Sequence, residues 1–237
     1  RWAWAAHVIH HSSQHYNLST ALRQTWTGLF GLTFIIKLPL FFIGFPLELV
    51  AFCAGLNLIY QSWIHTEVIG KMPRWFEAVM NTPSHHRVHH GTNPRYLDRN
   101  YAGVFIIWDK LFGTFEAERA DEPPRYGIIR NLGTFNPFWV AVHEWVGIFR
   151  DVARARSLKT ALVAAFGPPG ALSGETADAL RAQWQAETAP SASPPPAAVP
   201  PAAASTTEKP PMPLPVPPGT ALAAPLPPLP PITPNAS

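Results

Sequence analysis

The sequence predicts an all-α fold: an integral membrane helical bundle with a transmembrane or re-entrant hairpin, a cytosolic histidine-box cap and a disordered Pro/Ala-rich tail. Three observations predict it. The pattern His-x-x-His-His occurs twice, at His7-Val8-Ile9-His10-His11 and His86-Arg87-Val88-His89-His90. Between the copies, residues 26–64 are apolar, with Lys37 and Glu48 the only Lys, Arg, Asp or Glu. After residue 189 the composition changes abruptly, and 18 of the 28 prolines fall in 190–237.

On a helix, positions i, i+3 and i+4 share one face. Each box therefore aims three imidazoles at one spot, and six of the ten histidines belong to the boxes. The first box is followed by a polar stretch to Gln24. Next comes the apolar region, whose run from Leu38 to Tyr60 is 23 residues, close to the ~20 that span a bilayer. If both boxes serve one centre, the chain between them must return to the side it left. Two crossings of about 20 residues each fit residues 25–64, with Pro39, Gly44 and Pro46 available for the turn. A single span over Leu38–Tyr60, which would separate the boxes, and an apolar core hairpin of a soluble protein are the alternatives. His65 closes the run, and Lys71 and Arg74 supply the basic flank of a cytoplasmic side.

Asn81-Thr82-Pro83-Ser84 reads as a capping turn, with Thr82 or Ser84 as cap and Pro83 fixing the entry of a helix that carries the second box. Residues 100–115 are aromatic but interrupted, as an interfacial or site-lining piece would be. Pro137 opens a helix over 137–155, where Trp139, Val142, Val146 and Phe149 recur at helical spacing. The domain reading is a histidine-box membrane domain at 1–155, a weakly helical extension at 156–189 and a disordered tail at 190–237. Such a tail cannot bury enough apolar surface to offset its ordering entropy. It serves as a tether or as a Pro-rich ligand for a polyproline-binding groove.

Composition narrows the function. The chain has 237 residues, a net charge of +3 and only 14% charged residues, with nine Trp and fourteen Phe. The basic excess is too mild for a nucleic-acid partner. One cysteine, Cys53, excludes a disulfide framework and a cysteine-built metal site. The first residue is Arg1, so a fragment or processed product is expected.

Imidazole suits iron, zinc, copper and nickel, so the candidate metal ligands are His7, His10, His11, His86, His89 and His90. His65 joins them because it lies at the depth expected of the boxes. Ligating histidines usually donate their second nitrogen to a carboxylate, carbonyl or water. His85, Asn17, Asp98, Asn100 and Asp109 are the candidate partners, with Glu67 a further one. His15 reads as exposed and His143 as structural. A zinc-dependent hydrolase would ordinarily carry a general base, as in His-Glu-x-x-His, which is absent. A non-catalytic membrane metal-binding protein is the other alternative.

Four stretches carry a longer pattern. They are His-His-Ser-Ser-x-x-Tyr-Asn-x-x-Thr-Ala-Leu-Arg-Gln from His10 and Asn-Thr-Pro-Ser-His-His-Arg-Val-His-His-Gly-x-Asn from Asn81. Asp-x-Asn-Tyr from Asp98 and Trp-Asp-x-x-Phe-Gly-Thr-Phe from Trp108 complete the set. Together they resemble the fatty acid hydroxylase/sterol desaturase superfamily, and within it the alkylglycerol monooxygenase-like branch, over about residues 1–118. The resemblance implies an integral membrane di-iron oxygenase with its metal site on the cytosolic side. It implies two Fe ions held by the seven histidines, O2 as co-substrate, and hydroxylation or desaturation of a membrane lipid C–H bond. Electrons would come from a redox protein partner or a reduced pterin. The family carries an earlier histidine pair on a preceding helix, so ligands from before Arg1 are expected to complete the site. Ala102 stands where this branch usually has Gly.

Overall fold

The computed structural model describes residues 1–28, 30 and 33–188. Among them the regular elements are helices, with isolated bridges such as Met80 to Phe105 but no strand. The Pro/Ala-rich tail expected at 190–237 lies outside the described residues.

The first box occupies the second half of α1 (Trp2–His11). A short α2 (Leu18–Ala21) follows. Asn17 caps it: the side chain accepts from Ser19 N at 2.9 Å, and the Asn17 N–H donates to Thr20 Oγ1. This closes two of the orphan donors at a helix start.

The apolar region is built as two arms of unequal length. Its first arm is a 3-10 turn over Thr33–Lys37 running into α3 (Leu38–Phe42). Its second arm is α4 (Leu47–Ile64), 18 residues long. The reversal falls where Gly44 takes φ +101° and Pro46 precedes α4. A positive φ is open to Gly at little cost. The first arm rises only about 18 Å, whereas α4 rises about 27 Å against a hydrocarbon core of about 30 Å. Two full crossings are therefore not built from these residues. Pro39, Gly44 and Pro46 stop the first arm after two short helices. In composition α4 is long and apolar enough to cross a membrane, and most of its side chains face away from the protein. Both boxes meet its C-terminal end, so a span that separates them is excluded.

α5 (Arg74–Glu77) leads to α6 (Pro83–His89), which carries the second box. Pro83 sits in the first turn as expected, but the Thr82 side chain does not cap. Its hydroxyl, and that of Ser84, donate instead to Glu77 Oε1 at 3.0 and 2.8 Å. The charged acceptor outcompetes the helix amides. Arg87 lies about 100° around α6 from His86. It forks onto Glu118 and reaches the carbonyls of Thr66 and Ile69 at 2.9 and 2.7 Å.

α7 (Ile107–Phe112) ends in Gly113 at φ +73°, a left-handed cap. Trp108, Leu111 and Phe112 on it are exposed, while Tyr101 and Gly103 before it border a cavity. α8 (Pro137–Arg154) starts at Pro137, as its sequence predicts, under the side chain of Asn136. Next come α9 (Leu158–Phe166) and α10 (Ala177–Thr188).

α1, α8 and α9 pack together. Ala5, Ala6, Trp145, Ile148 and Ala165 form the core, with Trp2 edge-on to Trp145 at 5.1 Å. The alanines let the helices approach closely. Burying Ile148 fully contributes about 1.5–3 kcal/mol. Beyond residue 155, α9 contributes Ala165 to the same core as Ala5 and Ala6 of α1.

Candidate metal centre

α1 brings His7, His10 and His11, α6 and its C-cap bring His86, His89 and His90, and the residue after α4 brings His65. All seven predicted ligands converge, in two groups. His10, His65, His86 and His90 offer ring nitrogens within 4.8 Å of one another, as do His7, His11 and His89. The groups touch through His11 and His90, whose rings stack at 4.3 Å.

The four-imidazole group is buried. His65 Nε2 lies 3.1 Å from His10 Nε2 and 3.0 Å from His86 Nε2. Nitrogens about 2.1 Å from one shared ion stand about 3.0–3.4 Å apart at octahedral to tetrahedral angles, so this spacing fits a metal. The three-imidazole group is more open: His11 is buried, His89 half-buried, and His7 faces a cavity of about 1000 Å³.

Two backbone carbonyls orient the rings. The His65 Nδ1–H donates to Gln61 O at 2.6 Å and the His89 Nδ1–H to Arg99 O at 3.2 Å. This leaves Nε2 of each as the lone-pair nitrogen. His10 Nδ1, His86 Nδ1, His11 Nε2 and His90 Nε2 are buried with no hydrogen-bond partner among the described residues. A buried unpaired polar atom costs about 1–3 kcal/mol; an ion could satisfy the Nε2 of His11 and of His90, whereas His10 and His86 face His65 through Nε2, so their orphaned Nδ1 atoms point away from the ion that would sit there.

Burial, reinforced by the neighbouring histidines, lowers the cluster's pKa values. His10 falls to about 2 and His7 to about 4. His65 falls to about 4, burial outweighing its bond to Gln61. His11, His86 and His90 fall well below the ordinary imidazole value. The rings are neutral at pH 7 and ready to ligate.

The candidate partners of the ligands take other roles. Asn17 caps α2. His85 turns away from the cluster, with Nε2 3.9 Å from Glu77 Oε2 and its ring edge-on to Phe115. Asn100 donates to the carbonyls of His85 and Glu116 at 3.0 and 2.8 Å and accepts from Glu116 N. Asp109 accepts from Tyr101 N, Ala102 N and Thr114 Oγ1. Asp98 neighbours Tyr101, whose phenol is pushed up by burial and then by that carboxylate. None of the five hydrogen-bonds an imidazole of the two groups. Asn100 and Asp109 hold the loop that delivers Arg99 O to His89, one step further out. Both carbonyl partners went unseen in the sequence, since a main-chain acceptor leaves no residue-type signal. Glu67 pairs with Tyr126, and His15 is exposed as expected. His143 Nδ1 lies 3.0 Å from Val140 O at the cavity edge.

Tyr16 was also missed. Its hydroxyl donates to Ile64 O at 3.0 Å, and its ring stacks on His65 at 5.6 Å and Tyr126 at 4.9 Å.

The fatty acid hydroxylase family model matches residues 1–114. Human alkylglycerol monooxygenase is 50% identical over 147 residues, covering 62% of this chain and 32% of the relative. The Caenorhabditis elegans alkylglycerol monooxygenase is 49% identical over 140 residues, covering 59% and 27%. An ornithine lipid hydroxylase of Rhizobium tropici is 27% identical over 123 residues, covering 52% and 35%. The chain thus spans about a third of the length of these curated relatives. No solved structure matches it. Both the matched segment and the imidazole cluster fall before residue 115, so the stretch that is similar to the fatty acid hydroxylase family and to the alkylglycerol monooxygenases is the one that carries the histidines.

Proposed function

We propose that the protein is a membrane-bound, O2-dependent lipid oxygenase that hydroxylates or desaturates a lipid C–H bond with two iron ions. One observation carries the reading: seven neutral imidazoles are split four and three, and five of them line a cavity of about 1000 Å³ at the end of a membrane-length helix. The size suits a lipid segment, since ligand pockets run from about 300 to 1000 Å³. The relatives' printed activities, alkylglycerol monooxygenation and ornithine lipid hydroxylation, support the same chemistry.

The residues divide the work. His10, His65, His86 and His90 would hold one ion, and His7, His11 and His89 the other. Bound there, iron supplies O2 activation for attack on an unactivated C–H bond. Gln61 O and Arg99 O fix two of the rings. Tyr16 and the buried α1 and α6 faces keep water from the inner group. Exposed apolar side chains of α4 face the bilayer, and Lys71 and Arg74 beyond it favour the cytosolic side for the metal. A redox protein or a reduced pterin supplies electrons.

The test is metal analysis of the purified full-length protein, paired with lipid profiling of a deletion strain. About two iron ions per chain and an O2-dependent change in lipid oxidation are expected. Less than about one iron per chain, or a lipid profile indifferent to O2, overturns the reading.

A further inference from the structure

α4 carries a polar stripe that no metal-binding role uses. Asn57 and Gln61 lie one turn apart, and His65 follows at the same interval, so the three share one face of an otherwise apolar helix. Asn57 and Gln61 both line the cavity together with His86 and His89. The other uncharged polar side chains of this helix have partners: Tyr60 donates to Asn81 O at 2.6 Å and Ser62 to Ile59 O at 2.7 Å. Among the described residues, no hydrogen bond engages the side-chain amide of Asn57 or Gln61; Gln61 contributes only its carbonyl, to His65. Both amides are half-buried and open on the cavity, where a ligand group can meet them.

The opposite wall is built to leave them free. A Cβ placed at Gly103 would fall 2.5 Å from Asn57 Oδ1 and 2.9 Å from Gln61 Nε2. Glycine there lets the loop backbone pass beside both amides without displacing them.

We infer that Asn57 and Gln61 form a subsite for the polar end of the lipid, hydrogen-bonding a neutral oxygen that lies a few bonds from the carbon to be oxidised. The inference deepens the oxygenase reading and rests on it. An amide both donates and accepts, so it matches an ether, hydroxyl or carbonyl oxygen. Neither residue brings a charge to attract a carboxylate or phosphate. Gln61 joins the two functions: its carbonyl orients a ligand imidazole and its side chain, on the same turn, would hold the substrate. The subsite would thereby set which carbon faces the imidazoles.

The experiment uses full-length protein in lipid nanodiscs and two substrates of equal chain length, one bearing an ether or hydroxyl oxygen near its head and one a plain hydrocarbon. In Asn57→Leu/Gln61→Leu, the KM for the oxygen-bearing lipid should rise about tenfold, the loss of one or two hydrogen bonds. Its product should spread over neighbouring carbons, while the hydrocarbon's KM should change by clearly less than that of the oxygen-bearing lipid. Iron content should also stay at the wild-type level, because the Gln61 carbonyl remains. Gly103→Ala, which crowds only the tips of the two amides, should shift KM in the same direction by less and covers the case where the double variant does not fold. Unchanged KM and a single oxidised carbon at full iron content would overturn the subsite. If the wild type oxidises neither lipid, the oxygenase reading fails by itself. The subsite is then judged by equilibrium affinity for the oxygen-bearing lipid, where a drop of about tenfold supports it and equal affinity rejects it.

Discussion

The two imidazole groups are made from the same helices but live in different surroundings. The inner four are all buried, and only His86 and His90 among them reach the cavity wall. The outer three share their space with a cavity, and His7 among them is exposed to it. Both boxes contribute to both groups: α1 sends His10 inward and His7 and His11 outward, and α6 with its cap sends His86 and His90 inward and His89 outward. A box is therefore not a site. Each helix spans two sites, and the local arrangement decides which nitrogen faces which.

The sharpest way to break this comparison is to remove a ligand from each group. His90→Ala should abolish the inner ion and, through its contact with His11, disturb the outer one. Activity should fall by more than the roughly 10–100-fold that loss of a ligand's own partner costs. His7→Ala should lower iron by about half and leave the inner ion in place, since that residue offers its ligand nitrogen to the open group. Equal iron loss in both variants would show that the groups do not bind independently.

Acid tests the same difference in the metal-free protein. Between the ordinary imidazole value of 6.5 and about 4, the unfolded chain takes up protons that His7 and His65 refuse when folded. Stability is then full above 6.5 and declines as pH falls through that window. Thermal unfolding against pH should show the decline, and iron should suppress it. A flat profile would mean that the cluster is not buried as described.

Smaller effects separate the loop clamp from a helix cap. Asp109→Ala removes the acceptor for Tyr101 N, Ala102 N and Thr114 Oγ1. About 2–4 kcal/mol of stability should be lost, with weakened metal retention because Arg99 O is no longer held against His89. Asn17→Ala should cost about 1 kcal/mol and leave iron content alone. If Asn17→Ala strips the metal instead, its reading as a cap is wrong.

Much of this was legible from residue order. The box spacing announces a shared helical face, and His65 stands out because it ends an apolar run. Gly44 and Pro46 mark the reversal, and Pro137 marks the start of α8. What could not be read depends on distance in space. The split into four and three arises from how the imidazoles of α1, α6 and His65 meet in space, which spacing along one helix does not encode. Asn17, Asp98, Asn100 and Asp109 were drawn toward the metal by sequence proximity, yet backbone N–H and C=O groups claimed most of them. Asn57 and Gln61 did leave a signal, as polar positions i and i+4 ahead of His65, and periodicity applied to polar residues would have found them.

The end of α4 is moored on several sides. Tyr60 ties it to Asn81, Tyr16 ties it to Ile64, and Arg87 straps Thr66 and Ile69 to α6. A rod in a fluid sheet is pushed and tilted by every change in the thickness of that sheet. Here the push arrives at a bolted flange, so the rod can lean without its last imidazole losing register with the other six.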